Sequence, residues 1–141
     1  MKEDSESGIK RRAIDTHMDG MDVFSISTKQ DPESINAVLS KSNIDINNVD
    51  IFGFHQTNKF LMDRVVKRMG IDPAKVPYSL IEYANTSGAS IPLTLVTERR
   101  NQLTTSKMNI IGCALGVGLS FGAVYFECEN IIVPNLIIYG D

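Results

Sequence analysis

Three places in the sequence put a chemically capable group at the end of an apolar stretch. His55 closes the run VDIFGF and is followed at once by Gln56, Thr57 and Asn58. Asn85 comes just after YSLIEY, and Gly116-Val117-Gly118 separates two further apolar runs. In α/β folds ligands bind outside the carboxyl ends of strands, so an imidazole there is placed for acid–base or hydrogen-bonding work. A glycine-flanked turn can aim backbone N–H groups into a cavity. Taken singly, each has an ordinary structural reading: a satisfied histidine at a strand end, a turn or capping asparagine, a tight hairpin. Converging on one pocket, an imidazole, a carboxamide and backbone donors supply what stabilisation of an oxyanion or enolate requires.

The elements that must position these groups alternate between strand and helix. Val23, Phe24 and Ile26 suggest a short strand, and Asp31-Pro32-Glu33 reads as a helix start that carries Ile35, Val38 and Leu39 inward and ends near Asn43. Val49 to Phe54 is a second strand. From Asn58 to Met69, Leu61, Met62, Val65, Val66 and Met69 share one face and Lys59, Asp63, Arg64, Lys67 and Arg68 the other, which is helical periodicity closed by Gly70. Tyr78 to Tyr83 leads into Asn85-Thr86-Ser87-Gly88, and a helix with a small-residue opening is expected from about Ser87 to Asn101. Two strands follow, around Asn109 to Leu115 and Leu119 to Glu127, and then a last apolar stretch, Ile131 to Tyr139. Alternating strands and helices with consecutive strands at the end imply an α/β domain whose sheet is partly antiparallel. Residues 1 to 20 mix both charges with Ser and Gly and read as a tail or a severed loop, which leaves 21 to 141 as the domain.

Composition narrows the function classes. A chain of 141 residues, 43% hydrophobic and 22% charged, is sized for one globular domain. Its 14 Lys+Arg against 17 Asp+Glu create no cationic field, which argues against nucleic acid and a polybasic membrane anchor. Two cysteines in apolar surroundings, Cys113 and Cys128, do not make a disulfide scaffold, and no signal-peptide pattern begins at Met1; the expected compartment is the reducing cytoplasm. Ile110 to Phe126 is a nearly unbroken apolar run of 17 residues, just short of a membrane span. Its four glycines, each costing a helix about 1 kcal/mol relative to alanine, suit two buried strands instead. No metal-ligand spacing is present.

Four ordered motifs carry a family resemblance: MDGMDVF at Met18 to Phe24, HQTN at His55 to Asn58, YANTSGASIP at Tyr83 to Pro92 and GCALGVGLSFGA at Gly112 to Ala123. Together they resemble the carboxyl-terminal half of a β-ketoacyl-acyl-carrier-protein synthase III, a condensing enzyme of the thiolase superfamily. The resemblance implies one half of a layered α/β sandwich with a mixed five-stranded sheet packed by helices, with residues 1 to 20 as the loop between halves. It also implies a decarboxylative condensation of malonyl-carrier protein with an acyl primer in fatty acid biosynthesis. In that reaction coenzyme A and acyl-carrier-protein thioesters are substrates, no cofactor is bound, and the complete enzyme is a homodimer. By resemblance His55 and Asn85 are the histidine and asparagine of the Cys-His-Asn triad, Asn58 lies beside the pantetheine channel, and the backbone N–H of Val117 is an oxyanion-hole donor.

The departures are informative too. The family's nucleophilic cysteine belongs to its amino-terminal half and has no counterpart among these residues, so the chain alone is expected to be inactive. Cys113 and Cys128 fall within predicted strands and read as small core residues. Val117 stands where glycine or another small residue is usual, Leu115 where phenylalanine is common, and Phe60 where some members carry a basic residue. Lys59, Arg64, Lys67 and Arg68 offer either a positive surface for an acidic carrier or an ordinary solvated face. Two alternatives stay open: a non-catalytic partner subunit, and a different thiolase-superfamily acyl transfer.

Overall fold

The carboxylate of Asp19 accepts the backbone N–H groups of Met21 (2.9 Å) and Asp22 (3.0 Å) and thereby opens a helix, α1 (Gly20–Ser42). The computed structural model describes residues 2–3, 10–11 and 19–139. Most of the expected tail at 1 to 20 lies outside them; two short strands there, β1 (Lys2–Glu3) and β2 (Lys10–Arg11), pair antiparallel. Val23, Phe24 and Ile26 belong to α1, which corrects the expected strand, and Asp31-Pro32 sits in mid-helix where a helix start was expected. The reason is visible in the spacing: Ser27, Asp31, Ile35 and Leu39 recur every fourth residue and form one buried stripe.

Proline inside a helix removes the N–H that would meet the carbonyl four residues earlier. Here that carbonyl is Thr28 C=O, and Arg68 Nη1 donates to it at 2.8 Å from the neighbouring helix. A bond that α1 lacks within itself is supplied by another element, and the helix runs on to Asn43, whose left-handed backbone (φ 52°) ends it.

The sheet follows. β3 (Ile51–Phe54) pairs parallel with β4 (Lys107–Gly116), Phe54 opposite Cys113, and β4 pairs antiparallel with β5 (Ser120–Glu129) from Lys107↔Glu129 to Gly116↔Ser120. Among the described residues this sheet has three strands, in the order β3-β4-β5, where the resemblance implied five. Between β3 and β4 come α2 (Lys59–Met69), a one-turn α3 (Leu80–Tyr83), α4 (Ser90–Glu98) and α5 (Arg100–Thr105). The single helix expected from Ser87 to Asn101 is thus a 3₁₀ turn and two helices, broken at Arg99. The last apolar stretch adds no strand. It lies against α5, with Ile131 N–H on Leu103 C=O (3.1 Å) and Arg100 Nε on Val133 C=O (3.0 Å), and Val133 is its buried residue.

Both faces of β3 and of the middle of β4 are covered, whereas β5, expected to be buried, is largely exposed. Phe52, Phe54 and Ile111 pack with Ile35 of α1 and with Met62 and Val65 of α2, while Ile51 and Ile110 meet Leu103 of α5 and Leu95 of α4. Each such side chain, fully buried, contributes about 1.5–3 kcal/mol. Ile110 to Phe126 is a hairpin, and among the described residues no helix is long and apolar enough to cross a membrane.

Asp31 is buried beneath the sheet, where it faces the thiol of Cys113, and one carboxylate oxygen has no hydrogen-bond partner. Burial pushes its carboxyl up to about 6, against a smaller downward pull from that thiol. The same burial, with the Asp31 charge beside it, pushes the Cys113 thiol far up, so Cys113 is a core residue and a poor nucleophile. Cys128, half-buried, is pushed up as well by burial.

Two outcomes are expected. In the unfolded chain Asp31 releases its proton near pH 3.8, before the folded chain does, so native stability falls by about 3 kcal/mol as pH rises from there to about 6 and then levels. Asp31→Asn should flatten this fall in urea titrations across that window; an unchanged slope would show that Asp31 is not the group responsible. Arg68→Met should destabilise the native chain by about 0.5–1 kcal/mol, because it leaves the partly exposed Thr28 carbonyl to water alone, but by less in a Pro32→Ala background where the helix regains its own N–H. A double-mutant cycle measures this, and strict additivity would contradict it.

Candidate active site

His55 follows the last residue of β3, and its backbone N–H continues the ladder by donating to Cys113 C=O at 2.8 Å. Side chains alternate along a strand, so His55 points to the same face as Gly53. That face belongs to α4. A Cβ built at Gly53 would lie 3.3 Å from Ile91 Cγ2, and one at Gly112 on β4 would lie 3.3 Å from Val124 Cγ1 and 3.9 Å from Ile91 Cδ1. Gly53 therefore lets the first turn of α4 approach the sheet closely, while the tight neighbour of Gly112 is Val124 on the adjacent strand. The approach sets Ser90 Oγ 2.5 Å from His55 Nδ1 and within 3.3 Å of the Gln56 backbone N–H, which donates to it.

A buried polar network backs this contact. Gln56 is fully buried; its Nε2 donates to Phe54 C=O (3.0 Å) and, at longer range, to Pro77 C=O (3.5 Å), and its Oε1 accepts from Ser79 N–H (3.1 Å). Ser79 Oγ and Thr94 Oγ1 share a proton bridge at 2.5 Å, and Thr94 Oγ1 donates to Ser90 C=O at 2.7 Å. The carboxyl end of β3, the segment before α3 and the start of α4 are tied together by side chains whose polar groups are satisfied, which gives the site a fixed frame. His55 is half-buried, and burial lowers its pKa below the ordinary histidine value, so the imidazole is neutral near pH 7.

Asn85 lies in the loop between α3 and the 3₁₀ turn Ser87–Ala89, exposed. The backbone there is strained. Ala84 holds φ 56°, ψ −159°, a region that favours glycine, and Ser87 holds φ 54°. Asn85 Oδ1 accepts the Ser87 N–H at 2.8 Å, which identifies the other end of the carboxamide as the N–H2 group. Asn58 is the N-cap of α2, its Oδ1 accepting from Phe60 N–H (2.9 Å) and Leu61 N–H (3.4 Å). Val117 is on the exposed turn between β4 and β5. Because β4 runs parallel to β3 and outlasts it, Val117 stands about 10 Å beyond the level of His55, at ~3.3 Å per residue. His55 and Val117 thus share the carboxyl end of the parallel pair without touching, and Cys113 turns to the opposite face with Asp31.

Gln56 and Ser90 stand inside the expected motifs, Gln56 at a helix opening and Ser90 among the small residues that permit close approach, but their hydrogen bonds at His55 are visible only in the structure. Thr57 and Thr86, each beside a candidate residue, hold buried hydroxyls with no partner among the described residues. Phe60 is exposed and stacks on Phe24 (centroids 5.7 Å apart), with the Arg64 guanidinium 5.4 Å from its ring. Among the described residues no three His, Cys, Asp or Glu side chains gather closely enough to hold a metal ion.

Comparison with known proteins gives a consistent picture. Residues 39–128 match the family model described as 3-oxoacyl-[acyl-carrier-protein (ACP)] synthase III C terminal. The chain is 42% identical over 110 residues to the β-ketoacyl-[acyl-carrier-protein] synthase III of Trichodesmium erythraeum, covering 78% of this chain and 33% of that protein. It is 41% identical over 111 residues to the synthase of the same name from Clostridium perfringens, covering 79% and 34%. Among solved structures, the 3-oxoacyl-(acyl-carrier protein) synthase of Burkholderia xenovorans superposes with a TM-score of 0.81 at 31% identity, covering 84% of this chain and 34% of that one. The chain therefore spans about a third of the length of these relatives.

Proposed function

Because the chain belongs to the 3-oxoacyl-[acyl-carrier-protein] synthase III family and matches its C-terminal region, we propose that residues 21 to 141 are the C-terminal catalytic domain of a condensing acyltransferase of fatty acid biosynthesis. Its substrates are an acyl-coenzyme A primer and malonyl-carrier protein, and it works in the cytoplasm with an N-terminal half of the same enzyme, as a homodimer. The fold is the thiolase-like α/β fold of the family. The nucleophilic cysteine lies outside these 141 residues, since Cys113 and Cys128 are pushed toward the unreactive thiol by burial.

The roles follow from the charge that the reaction develops. When malonyl thioester loses carbon dioxide, the electron pair of the breaking C–C bond moves into an enolate, and the thioester oxygen takes up negative charge. Hydrogen-bond donors aimed at that oxygen lower the barrier. His55 donates to it as a neutral imidazole and Asn85 through its Nδ2–H; the enolate carbon then attacks the acyl-cysteine, whose own oxygen is met by the Val117 backbone N–H, and the C–S bond breaks with the cysteine leaving as its thiolate. Asn58 borders the pantetheine arm while it caps α2. What supports this reading is the hydrogen bonding at the two residues, with His55 Nδ1 engaged by Ser90 Oγ and the Asn85 oxygen engaged by the Ser87 N–H, so that His55 keeps its Nε2 and Asn85 its Nδ2 for a ligand.

In the complete enzyme, His55→Ala or Asn85→Ala is expected to slow carbon dioxide release by about 10²- to 10³-fold while acylation of the cysteine by acyl-coenzyme A, read by intact mass, stays within a few-fold of wild type. Parallel loss of acylation in both variants would contradict the assignment. The purified 141-residue chain is expected to show no condensation when given both thioesters. A ketoacyl product from it would return Cys113 and Cys128 to consideration.

A further inference from the structure

The hydroxyl of Ser90 constrains His55 through a count of protons. Ser90 is buried on the first turn of α4, where its Oγ accepts the Gln56 N–H and lies beside His55 Nδ1. A hydroxyl has one proton to give and two lone pairs. If Nδ1 carried the imidazole proton, Ser90 Oγ would receive two N–H groups and its own O–H would need an acceptor, and among the described residues it bonds none other than His55. With the proton on Nε2 every group is satisfied: Gln56 N–H donates to Oγ, and Ser90 O–H donates to Nδ1.

We propose that Ser90 is a positioning residue that holds His55 as its Nε2–H tautomer, with the Gln56 amide fixing the direction of the hydroxyl. Ser90 acts through His55. It rests on the function proposed above, in which His55 offers an N–H to the thioester oxygen while uncharged, and it names the group that makes this possible. The frame is buried on both sides: Gln56 and Thr94 are fully enclosed and Thr94 Oγ1 holds the Ser90 carbonyl, which fixes the Ser90 backbone, and a turn of the hydroxyl would forfeit its contacts with His55 and the Gln56 N–H.

The tautomer is readable without substrate. The chain holds two histidines, so H17Q leaves one imidazole, and long-range ¹H–¹⁵N correlation on the ¹⁵N-labelled 141-residue chain above the His55 pKa reports which nitrogen is protonated. A single Nε2–H form is expected, giving way in Ser90→Ala to a mixture of both tautomers and a higher His55 pKa, and restored in Ser90→Thr, which keeps the hydroxyl. Should Ser90→Ala not fold, Ser90→Cys, with its weakly donating thiol, carries the same comparison. An Nδ1–H form in the Ser90 chain, or an Nε2–H form undiminished without the hydroxyl, would overturn the proposal. These outcomes are independent of condensing activity: a complete enzyme that fails to decarboxylate would sink the function and leave the tautomer result standing.

Discussion

The site depends on how near one helix can come to the sheet. Gly53 on β3 leaves Ile91 room to settle where a Cβ atom would crowd it, Gly112 beside it on β4 does the same for Val124, and Ser90 lies next to Ile91 in the turn that meets His55. Interiors pack as tightly as crystals, so a methyl group at either glycine must be absorbed by movement of side chain or helix. Hydrogen-bond lengths change over a few tenths of an ångström, and the Ser90 contact is the first to feel such a shift. The apolar packing of α4 and the polarity of His55 are therefore one constraint.

Backbone groups set the orientation of two carboxamides in this part of the chain. Gln56 spends its entire side chain on Phe54, Pro77 and Ser79, and Asn85 spends its oxygen on Ser87, so both carboxamides are oriented by backbone groups that cannot reverse their roles. A buried amide that is fully partnered neither flips nor titrates, which makes it a fixed and uncharged support for the neighbouring histidine.

Much of this was legible in the sequence, and what was not has a common cause. The helical stripe of Leu61, Met62, Val65 and Val66, with Asn58 before it and Gly70 behind, is a local pattern and reads directly. So do the hairpin in the glycine-rich run and the loci of His55 and Asn85. The first helix misleads because Asp31-Pro32 is a local start signal, overruled by Arg68 from a helix forty residues away in sequence. The last apolar stretch resembles a strand, but its backbone groups meet Leu103 and Arg100 rather than a sheet edge. Ser90 sits in plain view in a small-residue motif, yet its partner is set by a close approach that no single segment encodes.

The strained residue before Asn85 carries a consequence of another kind. Ala84 occupies a backbone region in which a side chain costs about 1–3 kcal/mol, and glycine would sit there at ease. Glycine would also restore to the loop the freedom that alanine removes from its unfolded and partly opened states. Strain and order at this position therefore pull against each other: alanine costs the native state stability, yet it narrows the poses open to the carboxamide next door, and the loop opens less freely than one with glycine at its hinge.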